Sequence, residues 1–108
     1  MSIVFNNEGD IQYPDTAHIS DEDLGEYAAA LEDAFKVYVE RERIRRGLWK
    51  QYSTLDQART IRFKIDRVIS ALERGEPEPP MVAEINSEFD DIINYSVFGK
   101  RLMRGNVT

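Results

Sequence analysis

Cysteine is absent from this chain of 108 residues, and histidine occurs once, at His18. No disulfide framework and no thiolate metal site can therefore be built, and a reducing compartment is the expected setting. Zinc sites assembled from paired histidines are excluded as well. His18 stands outside any catalytic motif, and no glycine-rich phosphate loop occurs. Long apolar runs are also missing: nowhere do about 18 apolar residues follow one another, which a membrane-spanning helix would need. The opening stretch "MSIVFNNEGDIQYPD" has no basic leader ahead of an apolar segment. The expectation is a cytoplasmic protein without a membrane span.

Positive charge is in deficit. Fourteen Lys and Arg stand against twenty Asp and Glu, for a formal net charge of −6. General nucleic-acid binding is disfavoured, because phosphate contacts draw on clustered cations. What is present is a mix of 42% hydrophobic and 31% charged residues, the composition of a folded, helix-leaning chain. Its length suits one domain with a modest core.

The order of residues divides the chain into an irregular arm over 1–19 and a helical domain over 20–108. In the arm, "SIVF" and "IQY" flank "NNEGD" and could pair as a short hairpin. Ser20, followed by acidic residues and by Asp23 at the third position, marks a helix start. Leu24, Ala28, Leu31, Phe35 and Tyr38 then recur at helical spacing, which predicts a first helix over about 21–46 ending before Gly47, with Tyr27, Phe35 and Tyr38 in the core. After a turn at "QYST", Thr54 and Gln57 resemble a second capping box. Leu55, Ala58, Ile61, Ile65, Val68, Ile69 and Leu72 predict a helix over about 55–73. "RGEPEPP" breaks it, because proline lacks the backbone donor. A third helix over about 80–104 carries Ile85, Phe89, Ile92, Ser96, Gly99 and Met103 on one face. Three such helices pack most simply as an antiparallel all-α bundle, thin enough that a homodimer would help to complete it. The small residues Ala28, Ala29, Ala30, Ser96 and Gly99 suit close helix approach.

The third helix raises the chemical question. In "EINSEFDDIINY", Glu84, Glu88, Asp91 and Tyr95 fall on one helical face, with Asp90 and Asn94 beside them. Carboxylates so close repel unless a cation neutralises them, and Mg²⁺ accepts one or two carboxylates with water and phosphate oxygens. The plain alternative is a solvated acidic face with ordinary salt bridges. Upstream, "RERIRRGLWK" gathers cations around Trp49. That pattern reads either as a phosphate or base contact through Arg46, Trp49 and Lys50, or as a helix end whose cations match the dipole while Trp49 closes the core.

Glu88-x-x-Asp91 followed by "IINY", with "RFKIDRVISAL" and "VERERIRRGLWKQY" before it, resembles the MazG-like all-α NTP pyrophosphatase superfamily, in particular its phage-type nucleotide modification associated domain branch. The likeness spans about residues 27–104 and rests on short motifs: Arg43 to Trp49, Lys64 to Arg67, and Asp91 to Tyr95. It implies a helical fold that binds a nucleoside phosphate through Mg²⁺ held by a Glu-Glu-x-x-Glu motif on one helix and Glu-x-x-Asp on the next. Glu88 and Asp91 match the second motif. The first is eroded: in "KIDRVIS" only Asp66 is acidic, and Arg67 and Ser70 occupy positions where the family carries carboxylates.

Two outcomes stay open at this stage. Asp66, Glu88 and Asp91 hold one Mg²⁺, with Lys64, Arg67, Asn94, Tyr95, Arg46, Trp49 and Lys50 contacting a nucleotide; or Lys64 and Arg67 pair with the acids in place of a metal. The resemblance leads to the expectation of a phage-encoded protein, in the host cytoplasm, that binds a nucleotide or other phosphate-bearing ligand with weak or no hydrolysis. The alternatives are an interaction protein acting on a host or defence protein, and an active Mg²⁺-dependent nucleotide pyrophosphohydrolase. No residue is assigned a catalytic role.

Overall fold

A computed structural model describes residues 15–105, and its regular structure over that range is entirely helical. The candidate hairpin and most of the arm lie outside the described residues. Three α-helices and one 3-10 turn follow in order: α1 Asp21–Arg45, the 3-10 turn Leu48–Gln51, α2 Thr54–Glu73 and α3 Pro79–Arg104.

Local chemistry sets each boundary. The Ser20 hydroxyl accepts from the Asp23 N–H at 3.1 Å, and Asp21, Glu22 and Asp23 stand at the positive end of the helix dipole. At the other end, Arg46 adopts φ 46° and Gly47 φ 76°. Two consecutive left-handed residues reverse the chain. The Glu42 carboxylate steadies them by accepting from the Gly47 N–H at 2.7 Å. The capping box of α2 is formed by Ser53 and Asp56, one residue earlier than Thr54 and Gln57, and both of its reciprocal bonds are present. Thr54 is already helical, which frees Gln57 for a buried role. Pro79 and Pro80 open α3, where a missing backbone donor costs nothing.

The helices are not equivalent. α3 is the shared partner: α2 packs along it most extensively and α1 over a shorter stretch, while α1 and α2 make no comparable contact with each other. The connection from Arg74 to Glu78 makes α2 and α3 an antiparallel hairpin. The Cα radius of gyration is 16.1 Å, where a compact chain of this length would have about 13 Å.

Burial departs from the apolar stripes. The buried apolar residues are Ala34, Trp49, Val68, Ala71 and Phe98, with Gln57 and Asp91 buried among them. Tyr27 and Phe35, expected in the core, are 71% and 46% exposed; Tyr38 is half-buried. On α1 it is Ala34 that meets α3, its small side chain letting the backbones approach until Asn94 Nδ2 donates to the Ala34 carbonyl at 3.0 Å. The stripes on α2 and α3 are displaced in the same way, with Leu55, Ile69, Leu72, Phe89 and Met103 all exposed. Polar Gln57 and Asp91 occupy the seam, and a hydrophobic pattern passes over them.

Candidate functional site

Asp91 lies on α3 where both other helices converge, and it is 6% exposed. A carboxylate withdrawn this far from water needs compensation. Arg41 of α1 donates to its Oδ1, and Lys64 of α2 donates to its Oδ2 at 2.9 Å. One turn away, Lys64 also reaches Glu88 Oε2 at 3.4 Å, and Arg67 stands 3.4 Å from Glu88 Oε1. All four oxygens of Glu88 and Asp91 therefore face a cation of the chain itself. Lys64 further lies 5.8 Å from the centre of the Tyr95 ring, a cation–π contact.

The network sets its own electrostatics. Burial acts to lower the pKa of Lys64, but the hydrogen bond to Asp91 and the charges of Asp91 and Glu88 outweigh it, so Lys64 stands above the ordinary lysine value. Asp90, beside the network, is pushed above the ordinary carboxylate value by burial first and then by the charges of Asp33 and Asp91, with Arg41 opposing.

These residues do not fit Mg²⁺. A divalent ion would have to displace Lys64 and Arg41 from Asp91, and Asp66 gives no help. Asp66 is an exposed residue of α2 in an open cleft shared with Glu84, Glu88 and Arg67. Among the described residues, no group of three or more His, Cys, Asp or Glu side chains is placed to hold a metal ion. The metal trio expected from Asp66, Glu88 and Asp91 is not assembled among the described residues: Arg41, Lys64 and Arg67 face the oxygens of Glu88 and Asp91, and Asp66 is exposed.

The remaining expected residues separate. Asn94 ties α3 to α1, and Tyr95 meets Phe98 edge to face, with ring centres 5.8 Å apart. Trp49 is buried in the 3-10 turn and stacks on Phe98 at 4.4 Å with the planes 6° apart. Arg101 lies over the same indole at 5.1 Å. Trp49, 6% exposed, closes the end of the bundle. Its Nε1 is buried with no hydrogen-bond partner among the described residues. Arg46 and Lys50 are exposed at that end.

Sequence reasoning passed over Arg41 as a partner of Asp91, and over Gln57, whose amide donates to the Trp49 carbonyl at 3.2 Å. No periodic signal marks either residue. Above the network, Tyr38, Arg41, Arg45, Trp49, Tyr52 and Asn94 are among the residues lining a pocket of about 280 Å³ between the three helices. No protein-family model, curated protein or solved structure matches the chain.

Proposed function

We propose that this chain is a non-enzymatic interaction protein whose acidic α1 presents an apolar centre to a partner surface edged with basic residues. One observation carries the reading: Tyr27, Phe35 and Val39 lie exposed on α1, at spacings that share a helical face with Leu31. Around them stand Asp21, Glu22, Asp23, Glu26, Glu32, Asp33 and Glu40, with Lys36 the one cation between Asp21 and Glu40. A monomeric soluble protein seldom exposes such a contiguous patch without a use for it. The carboxylates of α3, which would carry chemistry in a MazG-like hydrolase, are neutralised by Arg41, Lys64 and Arg67. They support the scaffold.

The test is affinity purification with the intact chain against Phe35→Asp and Val39→Asp, partners being identified by mass spectrometry. A specific partner is expected that is retained by Glu88→Gln, lost from both α1 variants and weakened by salt. If no partner depends on Phe35 or Val39, the reading fails.

A second reading, binding of a nucleotide or other phosphate-bearing ligand without hydrolysis, is favoured by the pocket of about 280 Å³, with Arg41 and Arg45 beside three tyrosines. This volume is near the lower end for ligand sites. Calorimetry with inorganic phosphate and nucleoside monophosphates tests it; heat that Arg45→Ala abolishes would favour this reading over the first.

A further inference from the structure

The most regular apolar stripes of α2 and α3 do not face the seam between the helices of one chain. Exposed Leu55, Ile69 and Leu72 on α2 and Val82, Phe89 and Met103 on α3 are joined by half-buried Ile61, Ile65, Ile85 and Ile92. At 100° per residue these positions cluster on adjoining flanks of the two helices, away from the side of α3 that bears Asn94 toward α1. Between them runs a shallow groove whose walls include Ala58, Ile61, Ser96 and Met103. The result is one apolar face on the α2–α3 hairpin.

Charge indicates what covers it. The face is polarised along its length. Its open end carries Arg59, Arg62, Lys100 and Arg104, while the end at the connection carries Glu73, Glu76 and Glu78. None of Arg62, Lys100 and Glu73 has an ion pair among the described residues. Two copies laid antiparallel bring each basic end onto the other's acidic end, which is the complementarity a two-fold axis requires.

We propose that the outward face of the α2–α3 hairpin is covered by a second copy of this chain, the two hairpins forming a four-helix core about a two-fold axis. The inference is independent of the role given to α1, which remains on the outside of such a dimer.

Sedimentation equilibrium on the full chain tests it, with circular dichroism confirming helicity. A mass of about 25 kDa is expected, twice the 12.5 kDa of one chain. Ile69→Glu and Phe89→Glu should each weaken association about 30-fold or more, the scale of a central interface residue, and Phe35→Glu should leave it intact. The charge reversals Arg62→Glu and Glu73→Arg should each weaken the dimer and restore it when combined. A mass of 12.5 kDa at the highest soluble concentration, or a dimer that Phe35→Glu dissociates and Ile69→Glu does not, overturns the proposal.

Discussion

Lys64 Nζ donates to Asp91 Oδ2 at 2.9 Å across the α2–α3 seam, and both side chains are largely withdrawn from water, at 15% and 8% exposure. A pair in that position contributes through the cost of breaking it. Removing one partner strands the other, and Asp91→Asn would leave both Lys64 and Arg41 without their carboxylate. We expect Asp91→Asn to lower the unfolding free energy by about 3 kcal/mol, and Lys64→Met by somewhat less because Arg41 still serves Asp91. In urea titrations the double variant should lose less than the sum, exposing the coupling.

The same pairing predicts indifference to metal. If the oxygens of Glu88 and Asp91 were free to bind Mg²⁺, the melting temperature would rise with its concentration by linkage. With Lys64, Arg41 and Arg67 in place, millimolar MgCl₂ should shift the melting temperature no more than NaCl of equal ionic strength. A larger shift that Asp91→Asn removes would restore the metal site.

Alkali should act through Lys64. Its pKa is higher in the folded chain than the ordinary value of 10.5, so the ammonium stabilises the fold fully below about pH 10.5. This contribution is lost as pH rises through the folded value. Denaturant midpoints of the native chain should therefore fall above pH 10.5 more steeply than those of Lys64→Met.

Asp90 carries the opposite sign. Its pKa is raised in the folded state by burial and by Asp33 and Asp91, so the charged form is disfavoured on folding. The penalty is present at neutral pH and relieved as pH falls through the raised value. Asp90→Asn should raise the melting temperature at pH 7, and the gain should shrink toward pH 4.

Phe98 is the hub of the aromatic cluster, touching Tyr38, Trp49 and Tyr95. Phe98→Ala should cost about 3–4 kcal/mol as a cavity opens, with a red shift of the fluorescence of Trp49, the only tryptophan. Trp49→Phe should cost less than its lost volume implies, because it also removes an indole N–H that is buried without a partner.

The helices were legible in the sequence because their ends are chemical: Ser20, Gly47, the prolines before Met81 and Gly105 each announce a boundary, while the cap of α2 was read one residue late, at Thr54 instead of Ser53. The faces were harder. Periodicity says that Leu55, Ile61, Ile65 and Ile69 share a side of α2, but not which neighbour that side meets, and polar Gln57 and Asp91 took the seam instead. Lys64 and Arg67 could be weighed as counter-charges to Glu88 and Asp91 from their spacing alone. Arg41 could not, since its meeting with Asp91 spans fifty positions and depends on how α1 crosses α3. The short 3-10 turn read only as a turn, although the sequence already offered Trp49 as the residue that closes the core.

The unequal packing of the helices has a kinetic consequence. α2 and α3 are neighbours in sequence, joined by a short connection, so their contacts close at little entropic cost, whereas α1 must find α3 across a long stretch of chain. What anchors α1 there is small: Ala34 against Asn94, Arg41 on Asp91, and Tyr38 beside Phe98. Amide protons of α1 should therefore exchange with deuterium by a partial opening that leaves α2 and α3 protected. Of the three helices, the one that leaves the ribosome earliest would then be the last to lock into place and the first to let go.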